Sequence, residues 1–119
     1  MSDTIYDVAI IGGSFAGLTA ALHLARARRT IALFDNGKTR NRFSAAAHNF
    51  IGMDGRPPAE VRFAGRQDVL AYPTVTLFEE TVTSVAKDRE FRLSAKSKIK
   101  AKRILLAHGM TDILPDIDV

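Results

Sequence analysis

The feature that most constrains this chain is a glycine-rich turn, Gly12-Gly13-Ser14-Phe15-Ala16-Gly17, set directly behind an apolar run. Val8 to Ile11 is continuous and rich in branched residues, as strands buried on both faces of a parallel sheet are. After the turn, Ala16 to Arg28 has a helical pattern. Thr19, His23 and Arg26 fall on one polar stripe, and Leu18, Ala21, Leu22 and Ala25 lie largely elsewhere. So narrow a polar stripe predicts a mostly buried helix. Arg26, Arg28 and Arg29 suit the negative end of its dipole. Ile31 to Phe34 is the next apolar run, ending at Asp35 before the turn signal Asn36-Gly37. Strand, glycine turn, helix, then a second strand closed by an acid about 20 residues on is the pattern of a dinucleotide-binding unit.

Each part of that pattern has a physical task. Gly12 permits the tight turn out of the strand, and Gly17 lets the helix pack closely on it. The N–H groups of the first helical turn, together with the helix dipole, attract a pyrophosphate. Asp35 can accept hydrogen bonds from ribose hydroxyls, and its charge disfavours a 2′-phosphate there. Ser14 stands where the pattern has its middle glycine. It is the smallest polar replacement, and its hydroxyl can donate to a phosphate oxygen. Two other readings stay open on these residues alone: a glycine turn in a different α/β fold, and a site for NAD rather than FAD.

Beyond the turn, Arg40 to Gly55 has little periodicity, and connections of that length are often functional. Pro57-Pro58 reads as a helix start, with the helix running to about Ala71, stopped by the Tyr72-Pro73 step. Thr74 to Phe78 is a short strand. Thr81 to Lys102 predicts a β-meander. Val82 and Val85 mark its first strand and Phe91, Leu93 and Ala95 its second; Ile99 and Ala101 alternate with lysines in the third. Ile104 to Ala107 is a separate apolar run followed by Gly109. Alternating strands and helices predict a parallel sheet with helices on its faces.

The 119 residues suit one domain, and 46% apolar with 25% charged residues is ordinary globular composition. The absence of cysteine excludes disulfides and redox dithiols within these residues. With Asp3 and Asp7 at the start and no long apolar stretch, the expectation is a soluble cytoplasmic protein without a membrane span. The net charge of +4 is compatible with anionic ligands and proves none. Lys96, Lys98, Lys100, Lys102 and Arg103 can be read as a nucleic-acid patch. No aromatic platform is interleaved with them, so a solvated strand is the preferred reading and no nucleic-acid partner is expected. His23 is expected on the surface, His48 in the long loop and His108 near a strand end. The three histidines do not form a metal motif, and no metal is expected.

The segments DVAIIGGSFAGLTAALHLARAR, RNRF, HNFIGMDGR and RILLAHGMTDILPDI resemble, in order and spacing, the thioredoxin-reductase-like branch of the pyridine nucleotide–disulfide oxidoreductase family. The resemblance implies a Rossmann-like, three-layer α/β domain over residues 1–119: a parallel sheet with an inserted antiparallel meander, incomplete at the C-terminus. It implies FAD held by Gly12, Gly13, Ser14, Phe15, Ala16 and Gly17, with Asp35 at the adenosine ribose. Arg40, Asn41 and Arg42 match a loop along the flavin side, and Asn49 matches an asparagine that reaches toward the flavin. Val82 matches a residue near the adenine. Ala107 and Gly109 belong to the segment that passes the cofactor a second time, where His108 replaces the family's threonine.

Family members continue after LPDI with an NAD(P)H domain, often bearing Cys-x-x-Cys, and then return to finish the FAD domain. The expected function is therefore the FAD-binding part of an NAD(P)H-linked oxidoreductase. The alternative is a non-catalytic FAD-binding module or a subunit completed by another chain. Self-association, or a partner carrying the missing half, is expected with either. No catalytic residue is assigned.

Overall fold

The computed structural model describes residues 4–37 and 54–107. Their elements are β1 (Ile5–Ile11), α1 (Phe15–Arg26), β2 (Ile31–Phe34), α2 (Pro58–Leu70), β3 (Val75–Phe78), β4 (Ser84–Lys87), β5 (Phe91–Ser94) and β6 (Lys98–Leu106). They form one six-stranded sheet in the order β3-β2-β1-β6-β5-β4. β1 runs parallel to both β2 and β6, and β2 parallel to β3. β4, β5 and β6 are antiparallel neighbours. This is the Rossmann-like sheet with an inserted meander that the sequence predicts.

Period-two alternation sorts the strand residues between two cores. Val8 and Ile10 of β1 and Ile31 and Leu33 of β2 pack with Leu18, Ala21 and Ala25 of α1 and Val69 of α2. Ala9, Ala32 and Phe34 face the other way and pack with Leu93 of β5 and Ala101 of β6. The layers are therefore helices, parallel strands, and meander. Strand–helix alternation predicts helices packed on the sheet; among the described residues both pack on one face, and the meander covers the other. Two successive right-handed crossovers that step the same way, β1 to β2 to β3, necessarily place their helices on the same side.

Two further differences concern the meander. Val82 precedes the first meander strand, which begins at Ser84. The alternating segment around Ile99 and the apolar run from Ile104 form one strand, β6, rather than two. No glycine, proline or other turn residue separates them, so the extended backbone continues. It pairs with β5 over Lys98–Ala101 and with β1 over Lys100–Leu106. From Lys102 to Leu106 the side of β6 away from β1 has no strand partner among the described residues.

α1 ends in a Schellman arrangement. Arg29 N–H donates to the Leu24 carbonyl at 3.0 Å and Arg28 N–H to that of Ala25 at 2.9 Å. The left-handed residue this motif requires is Arg28, at φ 62°. His23 is exposed on α1, as its polar stripe predicts.

Candidate nucleotide site

The site forms where the parallel strands end. Three backbone hydrogen bonds tie these ends together: Gly12 N–H to the Phe34 carbonyl at 2.8 Å, Asp35 N–H to that of Phe78 at 3.0 Å, and Ala107 N–H to that of Ile11 at 2.8 Å. The chain steps from β1 toward β2 on one side, while β6 occupies the other. That reversal at the carboxyl ends of parallel strands is where open α/β sheets leave a crevice.

Gly12 turns the chain at φ 123°, a conformation that side chains rarely tolerate. α1 then starts with Ser14 as N-cap, and Leu18 N–H closes the first helical bond onto the Ser14 carbonyl at 2.9 Å. The Ser14 hydroxyl makes no capping bond, and α1 has no acid in its first turn. The positive end of the helix dipole is thus not offset locally by a carboxylate of its own helix. Gly17 is buried under the turn: a Cβ there would lie 1.8 Å from the Gly12 carbonyl oxygen. This is the close helix–strand approach that the third glycine of the pattern permits.

A cleft of about 300 Å³ opens beside this turn. Its walls are lined by Gly12, Gly13 and Ser14, by Asn36 and Glu80 to Val82, and by Ile11, Phe34 and Ala107. Phe34 is fixed by stacking on Phe78 with ring centroids 4.9 Å apart, and Tyr6 meets the Phe78 ring edge-on. Glu80 holds the meander at the rim. Its carboxylate accepts from Ser97 N–H at 2.6 Å and from the Ser97 hydroxyl at 2.9 Å.

Of the residues predicted for the site, Gly12, Gly13, Ser14, Val82 and Ala107 come together on this cleft. Ala16 is exposed on the first turn of α1, and Phe15 faces a shallow groove shared with Leu18 and Val61. Asp35 lies behind the wall rather than in it. Its side chain is only 2% exposed, paired with Arg66 of α2 and accepting from Gly37 N–H at 2.8 Å. Arg66 also reaches Glu79 at 3.0 Å. Arg40, Asn41, Arg42, Asn49 and Gly109 lie outside the described residues, as do His48 and His108.

Sequence reasoning missed Asn36, Glu80, Thr81 and Arg66. Asn36 was within reach as the neighbour of Asp35. Glu80 and Thr81 were within reach in the same way, as neighbours of Val82, whereas nothing local marks Arg66, which α2 brings in from a distant position. No group of three or more His, Asp or Glu able to hold a metal occurs among the described residues. None of their helices is long and apolar enough to cross a membrane.

Comparison with known proteins agrees with this geometry. The sequence profile of the pyridine nucleotide-disulphide oxidoreductases matches residues 6–118. The chain is 34% identical over 122 residues to the thioredoxin reductase tcpT of Claviceps purpurea, covering 98% of this chain and 38% of that protein. It is 35% identical over 123 residues to the thioredoxin reductase aclD of Aspergillus oryzae, covering 98% and 39%. An oxidoreductase structure from Agrobacterium tumefaciens superimposes with a TM-score of 0.87 at 44% identity, covering 96% of this chain and 40% of that one. The thioredoxin reductase of Streptococcus pyogenes shares the fold at 22% identity, with a TM-score of 0.83, covering 98% and 39%. The chain thus spans about two fifths of the length of the relatives it matches. A glycine turn, a parallel sheet with a meander and a profile match over nearly every residue converge, and the chain belongs to the pyridine nucleotide-disulphide oxidoreductase family.

Proposed function

We propose that the chain binds FAD in the cleft at the ends of β1, β2 and β6 and supplies the FAD-binding part of an NAD(P)H-linked oxidoreductase of thioredoxin-reductase type. The observation that carries this reading is the opening of the α1 N-terminus, through Gly12, Gly13 and Ser14, onto that cleft. The residues present suit the group. Gly12 and Gly13 bring bare backbone to the cleft, the helix dipole favours a pyrophosphate, and the Ser14 hydroxyl makes no competing cap bond.

In this reading the Gly12–Gly17 turn, including Phe15 and Ala16, holds the pyrophosphate. Asp35 serves the adenosine ribose from behind Gly13, through the backbone it braces rather than by direct contact, and Val82 lies against the adenine. Arg40, Asn41, Arg42 and Asn49 serve the flavin side, and Ala107 and Gly109 line the second passage of the chain. Bound flavin supplies hydride acceptance from a nicotinamide and onward electron transfer. This chain's part is to bind, orient and shield it. NAD(P)H and any dithiol belong to the remaining length of the relatives' architecture. The protein is expected in the cytoplasm.

The test is direct. The purified protein should show a flavin spectrum, and chromatography of the released cofactor should give FAD. Release of NAD, or of nothing, overturns the reading. Addition of NADPH without oxygen separates the two forms of the proposal: bleaching marks a competent oxidoreductase, and bound flavin that stays oxidised marks a non-catalytic module.

A further inference from the structure

We infer that Arg66 is a positioning residue for the nucleotide site. Its guanidinium fork ties the end of β2, at Asp35, to the end of β3, at Glu79, and so sets the cleft at its adenosine end. The inference rests on the FAD reading above and deepens it.

Arg66 lies on α2, 31 residues beyond Asp35 and 13 before Glu79. One nitrogen, Nη2, donates to Asp35 Oδ2, and the other, Nη1, donates to Glu79 Oε1 at 3.0 Å. A planar fork with two donors on separate nitrogens fixes both acceptors relative to each other, which a lysine cannot do. The residues that follow these acceptors are Asn36 on one side and Glu80, Thr81 and Val82 on the other, all of which line the cleft. The bridge therefore spans the two strand ends from which these lining segments depart.

The two arms differ in strength. Asp35 is 2% exposed and Glu79 67% exposed. The Asp35 arm is shielded from water, and its loss leaves a buried carboxylate without its cation, a costly state. The Glu79 arm is solvated and worth little alone. Asp35 is also immobile from the other side. A Cβ on Gly13 would lie 2.3 Å from Asp35 Cγ, so the carboxyl group is pressed against the turn itself. Arg66 thus holds the Asp35 carboxylate against the backbone that faces the cleft.

The experiment compares FAD with FMN, which lacks the adenosine half, by flavin fluorescence titration of the purified protein. Arg66→Met should weaken FAD about tenfold, the scale of one charge-assisted hydrogen bond, and leave FMN affinity within about twofold. Asp35→Asn should weaken FAD similarly, and the double variant no further, because the two act as one unit. Arg66→Lys keeps the charge without the fork, should fold if Arg66→Met does not, and should restore only part of the loss. Equal weakening of FAD and FMN, additive losses in the double variant, or full affinity in Arg66→Lys each overturn the positioning role while leaving FAD binding intact. A wild-type protein that binds neither flavin overturns the FAD reading and this inference with it.

Discussion

Gly13 and Asp35 exclude any side chain between them: a Cβ added to Gly13 would lie 2.3 Å from Asp35 Cγ and 2.5 Å from Asp35 Cβ. Because the Asp35 Cβ itself stands in the way, rotating the carboxylate away cannot relieve the clash. Gly13→Ala is therefore expected to destabilise the fold by about 1–3 kcal/mol, the usual cost of overpacking, read by urea denaturation. Asp35→Asn in the same chain should give no relief, whereas Asp35→Gly should. An unchanged midpoint in Gly13→Ala would mean that the turn and β2 are not held at this distance.

Gly17 carries the same logic to the helix. With its Cβ position 1.8 Å from the Gly12 carbonyl oxygen, Gly17→Ala has to lift α1 off β1 and tilt the first helical turn away from the cleft. FAD affinity and stability should fall together, and a variant stable to within about 0.5 kcal/mol, the range of neutral surface changes, would contradict the packing.

Arg28 shows a local conflict that the fold tolerates. Its φ of 62° closes the Schellman motif after α1, at a cost of about 1–2 kcal/mol for a residue with a Cβ. Arg28→Gly removes that cost and loses some unfolded-chain restriction. The net expectation is a gain of about 0.5–1 kcal/mol, visible as a raised melting temperature. A decrease would show that the Arg28 side chain contributes more than its backbone strain removes.

Asp7 links β1 to the start of β2 and gives the stability a pH dependence. Its carboxylate accepts from Thr30 N–H at 2.9 Å and the Thr30 hydroxyl at 3.1 Å, and Lys102 lies 3.5 Å away. The backbone bond from Thr30 is the main cause that holds its carboxyl below the usual carboxylate range, against a smaller opposing effect of burial. A group depressed in the folded state stabilises above its unfolded pKa, near 3.9 for Asp, and loses that contribution as pH falls through the lower folded value. Wild type should exceed Asp7→Asn in stability at neutral pH, and the difference should close on acidification below about pH 4. A difference that is constant from neutral to acid pH would exclude Asp7 as its source.

What the sequence made legible follows the range of the interactions. Gly12, Ser14, Gly17 and the apolar runs of β1 and β2 are local patterns whose periods state their environment. The single strand β6 was not visible, because its change from alternating to continuous apolar residues records a change of neighbours, not a turn. The pairings of Arg66 with Asp35 and Glu80 with Ser97 were out of reach for another reason. Each joins residues whose separation has no period, and only the sheet order brings β2, β3 and the meander turn to one place. Asp35 itself was recognised by position, but its burial behind Gly13 depends on α2 and could not be read from β2.

The open edge of β6 makes the last prediction. Between Lys102 and Leu106 the strand has β1 on one side and no strand on the other among the described residues. Such an edge offers unpaired backbone groups to another chain unless charge or distortion blunts it. Lys102 and Arg103 guard its beginning, but Ile104, Leu105 and Leu106 carry no charge, and Leu105 and Leu106 are 39% and 65% exposed. An apolar end on an unpaired strand favours association, with another copy or with a partner that adds a strand there. Sedimentation at several concentrations should therefore show self-association of the purified protein. Leu106→Lys places a charge on the edge at a residue exposed enough for the fold to bear it within about 0.5 kcal/mol, and should shift the distribution toward monomer. A wild-type protein that stays monomeric at every concentration, or a Leu106→Lys variant that associates as before, would show that this edge is not where association occurs.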